Sequence, residues 1–221
     1  MTRTLVLDLD GTLADTAADL IAALNATLAS EKLPPLPEAA ARHLVGQGGR
    51  DLIRRGFAED GKEVGGAQLE TLFRNFLEHY DANLAVHTRL YPGALTALDA
   101  FERDGWKLAV CTNKIERMSV KLLKALGVHD RFAFVSGQDT FNVLKPDPTP
   151  LLKTIAKVGG TPGRTVMVGD SISDVGAARG AKTGIVGVDF GYTETPMVEL
   201  NPDHVISHFD ELHAAAGRLV G

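Results

Sequence analysis

Thr4-Leu-Val-Leu-Asp-Leu-Asp-Gly-Thr-Leu-Ala-Asp-Thr16 is the stretch that decides how this chain folds. Leu5, Val6, Leu7 and Leu9 form a near-continuous apolar run, the pattern of a strand buried on both faces of a parallel sheet. Asp8 and Asp10 break into the end of that run, and Gly11 follows at once. Side chains two apart on a strand point to the same side. Either the backbone twists out of the strand there, or two carboxylates crowd one spot. Like charges held that close repel, and one of them has a raised pKa unless a cation sits between them. Such an arrangement is costly in a core and useful in a site. Asp and Gly are also common in a plain turn after a strand, so the rest of the chain has to decide between the two readings.

Working outward, Asp15 or Thr16 can cap a helix whose apolar positions Leu20, Ile21, Leu24 and Leu28 recur at helical spacing. Pro34-Pro35-Leu-Pro37 ends it, and Pro37 can open the next helix, to about Val45, because its missing N–H is not needed in a first turn. The break Gly46-Gln-Gly-Gly49 precedes a short helix carrying Leu52, Ile53 and Phe57. After Gly65-Gly66 comes a longer helix with Leu69, Leu72, Phe73, Phe76, Leu77 and Tyr80 on one face. From Tyr91 the pattern changes. Predicted helices over 92–103, 117–126, 150–158 and near 174–179 lead in turn to predicted strands over 108–111, 132–135, 165–168 and 184–188. A strand-like piece at 204–207 runs into an amphipathic helix over 209–219. Alternating strands and helices imply an α/β fold, a Rossmann-like parallel sheet with helices on both faces. The 76 residues 16–91 exceed what one crossover needs, since a complete βαβ unit takes about 30. The excess predicts an inserted α-helical cap domain at 15–87 over a core domain built from 1–14 and 88–221.

Composition narrows the function. Of 221 residues 44% are hydrophobic and 23% charged, ordinary for a soluble globular protein. The formal charge is −5 and no run of Lys and Arg stands out; nucleic acid or an anionic membrane would want the opposite balance. Cys111 is the one cysteine, which rules out an intrachain disulfide and suits a reducing compartment. With no leader-like or bilayer-length apolar stretch, the expectation is a cytoplasmic protein, monomer or homodimer.

Ligands of open α/β sheets bind beyond the carboxyl ends of the strands, and polar residues collect at those ends here. Asp8 and Asp10 end the first strand, Thr112-Asn113-Lys114 the second, and Gly169-Asp170-Ser171-Ile172-Ser173-Asp174 the strand at 165–168. Lys145 stands in Leu144-Lys-Pro-Asp-Pro-Thr-Pro150, just before a predicted helix. Asp8-Leu-Asp10-Gly11-Thr12-Leu13, Thr112-Asn113, Lys145-Pro146 and Gly169-Asp170 followed by Asp174 resemble, in order, the four motifs of the haloacid dehalogenase superfamily. The helical insertion lies where that superfamily carries its α-helical cap. Among the branches, the phosphoglycolate phosphatases are the most similar, through Asp10-Gly-Thr-Leu-Ala-Asp-Thr16, Val45-Gly-Gln-Gly48, Tyr91-Pro-Gly93 and Thr112-Asn-Lys114.

The resemblance implies a phosphatase working on a small phosphomonoester through an aspartyl phosphate, with Mg²⁺ as cofactor. Asp8 is the expected nucleophile and Asp10 the expected general acid and base. Mg²⁺ is expected on Asp8, Asp170 and the backbone carbonyl of Asp10, with Asp174 orienting that shell or Lys145. Lys145 adds positive charge, while Thr112, Asn113 and the backbone at Gly11 are expected to hold the phosphoryl group. Arg50, after the Gly46-Gln-Gly-Gly49 turn and flanked by Arg42, Arg54 and Arg55, is the expected partner of a substrate carboxylate.

Competing readings exist for several of these residues. Asp174 can simply cap a helix, Lys145 can be a solvated loop residue, and Arg50 can lie on the outer surface of a helix. Cys111 with Arg117 has the Cys-x₅-Arg spacing of cysteine-dependent phosphatases. The five intervening residues lack the glycines of a phosphate cradle, and a cysteine ending an apolar strand is more often packing. A phosphoacceptor receiver domain uses similar strand-end residues, but it has no counterpart of Asp10 and no insertion. A phosphosugar mutase of the same superfamily remains an alternative.

Overall fold

The computed structural model describes residues 2–193 and 195–220. In chain order it opens with β1 (Thr4–Leu7), β2 (Ala14–Asp15), α1 (Ala17–Ser30), α2 (Glu38–Ala41), α3 (Gly49–Ala58), α4 (Gly66–Ala82) and β3 (Arg89–Leu90). It continues with α5 (Ala94–Arg103), β4 (Lys107–Cys111), α6 (Glu116–Ala125), β5 (Phe134–Ser136) and α7 (Thr149–Lys157). β6 (Thr165–Gly169), α8 (Ile172–Ala181), β7 (Gly184–Val188), β8 (His204–Ile206) and α9 (Leu212–Leu219) complete it.

β1 is buried along its whole length because it feeds two cores at once. Leu5 and Leu7 pack with the apolar side chains of α5, α6 and α9. Val6, between them, packs with Leu151, Ile155, Val175 and Met167 on the other face, under α7 and α8. The six strands run parallel in the order β5-β4-β1-β6-β7-β8. From β1 the chain builds β4 and β5 to one side, then crosses to build β6, β7 and β8 on the other. The order therefore reverses around β1, which is where an open parallel sheet forms a crevice at its carboxyl edge. The fold expected from the alternation of strands and helices is the fold observed.

α1, α3 and α4 pack on one another, and Phe73, Phe76 and Tyr80 of α4 stack in series at 6.4 and 6.1 Å between ring centroids. Ile21, Leu24, Ile53, Phe57 and Phe76 from these helices share one continuous buried cluster with Leu5 and Leu7 of the sheet. The expected helix from Pro37 to about Val45 is a single α turn, α2, followed by a 3₁₀ turn at Arg42–Leu44. The strand expected at 132–135 starts two residues later and ends one later, at β5. A further strand pair was not expected: β2 and β3 form a two-residue antiparallel ribbon, Ala14 beside Leu90 and Asp15 beside Arg89, where the chain leaves the sheet and returns. Two residues are too few to show a period. Among the described residues no helix is long and apolar enough to cross a membrane.

Candidate active site

Asp8 follows directly on β1, held there by its N–H donating to the Val168 carbonyl of the neighbouring β6 (2.9 Å). Asp170 follows β6 in the same way, so adjacent strands deliver two buried carboxylates to one place. Asp174, one turn into α8, is the third: ligand oxygens of Asp8, Asp170 and Asp174 all lie within 4.8 Å of one another. Lys145 enters from the loop before α7. Its Nζ sits 2.6 Å from Asp174 Oδ1, 3.0 Å from Asp8 Oδ1 and 2.7 Å from the Cys111 carbonyl. Two of these contacts are hydrogen bonds, to Asp174 and Cys111, the third is an ion pair, and the side chain is buried, which excludes the reading of Lys145 as a solvated loop residue. Asp174 also caps α8, its Oδ2 accepting from the Ser171 N–H and hydroxyl. With both oxygens used, Asp174 stands behind the site and fixes Lys145.

Gly11 makes room for Asp170. Its φ of +81° lies in the left-handed region, and a Cβ there would run into Oδ2 of Asp170. Gly191 approaches the same carboxylate from the loop after β7, where a Cβ would again collide. Thr12 Oγ1 and the Tyr192 N–H donate to Asp170 at 3.0 and 2.8 Å. Tyr192 then reaches across to the start of α1. Its hydroxyl donates to Asp15 (2.7 Å) and accepts from the Thr16 and Ala17 N–H groups (2.6 and 3.0 Å). The helix cap expected from Asp15 or Thr16 is thus largely supplied by a tyrosine more than 170 residues away.

At the end of β4, Thr112 and Asn113 are buried beside Asp8 and Asp10 and line a cavity with about 570 Å³ of empty space, part of it open solvent. Asn113, expected to hold the phosphoryl group, turns its amide to the loop that carries Lys145. Its Nδ2 donates to the Lys145 carbonyl (3.0 Å) and its Oδ1 accepts from the Lys145 N–H (2.9 Å), so it anchors the lysine's loop. Arg50 is also placed differently from expectation. Its guanidinium lies over the Phe73 ring, 3.9 Å from the centroid, and makes two bonds to Glu70, at 2.8 and 2.7 Å, and it does not line the cavity. As the second residue of α3 it points across to α4 instead of down to the sheet. Lys114 stands out in the sequence only as the last residue of Thr112-Asn-Lys114. It is buried, 3.0 and 3.1 Å from the two oxygens of Asp10, with the Tyr80 ring of α4 at 4.4 Å.

Electrostatics single out the carboxylates. Burial pushes Asp170 up to about 8, helped by the negative Asp174 and Asp8. Burial also pushes Asp8 up to about 6, against the pull of Lys145 and with Asp174 and Asp10 adding to the rise. Burial alone would lower Lys145, but Asp174 and Asp8 more than reverse it and the ammonium stays protonated. Among the described residues Asp170 has only neutral donors for partners, and Asp8 Oδ1 accepts no well-aligned hydrogen bond. Two buried carboxylates facing each other with oxygen donors left over fit a hard divalent cation. Cys111 is buried and its thiol is pushed up by burial, which suits packing and not a nucleophile.

A doubly wound parallel sheet with carboxylates gathered at its switch point defines an α/β enzyme core. The sequence pattern of the haloacid dehalogenase-like hydrolases matches residues 5–188. A phosphoglycolate phosphatase from Agrobacterium fabrum is 48% identical over 210 residues, covering 95% of this chain and 90% of that one. One from Mesorhizobium japonicum is 46% identical over 208 residues, covering 94% and 92%. The crystal structure of a predicted phosphoglycolate phosphatase from Haemophilus somnus superposes with a TM-score of 0.89 at 30% identity, covering 96% of this chain and 97% of that one. This chain belongs to the haloacid dehalogenase-like hydrolase family; it is an enzyme, a hydrolase.

Proposed function

We propose that this enzyme hydrolyses 2-phosphoglycolate through a phosphoryl group carried on Asp8, with Mg²⁺ as its cation. The observation that carries the reading is Asp8 itself: a buried carboxylate on the cavity wall, beside Lys145 and across from Asp10. The names of the relatives support the substrate. Held by Asp8, Asp170 and the Asp10 carbonyl, Mg²⁺ supplies positive charge that offsets the repulsion between a phosphate dianion and Asp8. Asp8 attacks phosphorus, the P–O ester bond breaks, and the leaving glycolate oxygen takes a proton from Asp10. Water then attacks the same phosphorus, Asp10 accepts its proton, phosphate leaves, and Asp8 is restored. Lys145, locked by Asp174 and Asn113, holds positive charge beside the nucleophile throughout. The Thr112 hydroxyl and the Asp10 N–H receive phosphoryl oxygens; the Gly11 N–H, expected to join them, is engaged by the Ala14 carbonyl at 3.0 Å.

In this reading residues 15–87 form a cap domain that closes over a core of 1–14 and 88–221. Its partners are small phosphomonoesters, with no nucleic acid or membrane involved. It works as a monomer or homodimer, and the single buried thiol fits the cytoplasm. The test is phosphate release from phosphoglycolate and from ethyl phosphate, with Mg²⁺ and with a chelator. Mg²⁺-dependent release favouring phosphoglycolate is expected. Undiminished release in chelator contradicts the cation, and isomerisation of a sugar phosphate without release contradicts hydrolysis.

A further inference from the structure

A substrate with both a phosphate and a carboxylate needs a second cation, and Lys145 is not available for it. It donates to Asp174 and to the Cys111 carbonyl and is ion-paired with Asp8, so its charge is already spent on the nucleophile's side of the site. Arg50 is held by Glu70 and Phe73 away from the cavity. The walls formed by Leu20, Leu52, Phe73, Phe76 and Met118 are apolar and cannot receive an anion. Among the described residues that line the cavity, Lys114 is the one cation.

The position of Lys114 follows from the sheet. β1 and β4 are neighbours, paired up to Leu7 and Val110, and adjacent strands lie about 4.8 Å apart. The residues just beyond them, Asp8 to Asp10 and Thr112 to Lys114, therefore stand side by side at the carboxyl edge. An ester phosphate on Asp8 puts its leaving oxygen toward Asp10, and a carboxylate one carbon beyond that oxygen arrives next to the partner of Asp10. That partner is Lys114, its side chain only 6% exposed, bound to Asp10 on one side and facing the Tyr80 ring on the other. Tyr80 is buried too, and among the described residues its hydroxyl has no polar neighbour to bond except Lys114.

We infer that Lys114 is the residue that receives the carboxylate of the substrate, and that it does so by exchanging it for the carboxylate of Asp10. This rests on the proposed hydrolysis at Asp8. In the absence of substrate Lys114 keeps the Asp10 carboxylate turned to itself; a substrate carboxylate takes that place, and Asp10, freed from the ammonium, takes a proton from solvent and turns to the ester oxygen. An uncharged leaving group cannot make the exchange. Specificity for a carboxylate thus comes from the sheet edge, with Tyr80 of α4 closing over it and its hydroxyl as a further donor.

The test compares kcat/KM for phosphoglycolate with that for ethyl phosphate, which has the same chain length and no carboxylate. Wild type should prefer phosphoglycolate. Lys114→Met should cut that preference by about tenfold or more, the scale of one charge-assisted contact, and Lys114→Arg should keep part of it. Binding of the two esters to Asp8→Asn and to Asp8→Asn with Lys114→Met, by calorimetry with Mg²⁺ present, reads the same preference without turnover. An intact preference in Lys114→Met overturns the inference while leaving the hydrolysis at Asp8 in place. So does a preference lost in Arg50→Ala and kept in Lys114→Met. A wild type that cleaves ethyl phosphate as well as phosphoglycolate overturns the proposed substrate and the inference together, and no hydrolysis of either ester overturns the proposed function itself.

Discussion

Single residues at the sheet edge divide into those that face the reaction and those that hold them. Asp10 is expected to protonate the leaving oxygen, which an alkyl alcohol needs and a nitrophenolate does not. Asp10→Asn should slow phosphorylation of Asp8 by phosphoglycolate by roughly 10²–10⁴-fold, and by nitrophenyl phosphate far less, in rapid-quench measurements. Equal losses would remove the acid role. Gly11 belongs to the holding set. In Gly11→Ala the new Cβ displaces Oδ2 of Asp170, so Mg²⁺ affinity by calorimetry should fall by about 10–100-fold. Unchanged affinity would show that Asp170 tolerates displacement. Asp8, Asp10, Asp170 and Lys145 were legible in the sequence because they sit where an apolar run stops or a helix starts. Tyr192 was not: it meets Asp170, Asp15 and the start of α1 only after the sheet brings distant loops together. Lys114 was hidden for a different reason, since a lysine after a strand is ordinary until its partner is known to be Asp10. Arg50 misled because proximity to a glycine turn says nothing about the direction a helical side chain takes.

Elements behave as their periodicity predicts where they are long, and less so where they are short. α4 has apolar positions on one face from Leu69 to Tyr80, about three turns, and the structure buries that face. Phe76 sits at its centre, 2% exposed and stacked between Phe73 and Tyr80. Phe76→Ala should destabilise the protein by about 3–5 kcal/mol in urea unfolding, the range for a buried aromatic truncated to a methyl. A loss under about 1 kcal/mol would mean that α4 repacks freely. The β2–β3 ribbon escaped prediction, and the helix expected from Pro37 to about Val45 shortened to one α turn and a 3₁₀ turn, because two or four residues carry no usable period. Their positions depend on tertiary partners such as Arg42, which binds Asp15 at 2.9 Å and lies over the Tyr192 ring.

On the scale of the whole molecule, the fold concentrates buried negative charge at one point, and that couples pH, metal and stability. An unfolded aspartate loses its proton near 3.8, whereas Asp8 and Asp170 in the fold keep theirs up to about 6 and about 8. Between those values the folded protein binds more protons than the unfolded chain, so metal-free protein should lose stability as pH rises from about 5 to 8. Mg²⁺ must displace those protons, so its affinity should tighten over the same interval and level off above it. Melting temperatures and calorimetric Mg²⁺ titrations across that range check both; a flat profile in each would mean that the carboxylates are ionised without a cation. The central claim is that Asp8 carries the phosphoryl group. Its most direct test is to mix enzyme with phosphoglycolate and Mg²⁺, quench in acid during turnover, and map the peptides by mass spectrometry. The account predicts a phosphoryl group on Asp8, absent from Asp8→Asn. Phosphate released at the full rate with Asp8 never modified, or a phosphoryl group found on Cys111, would contradict it.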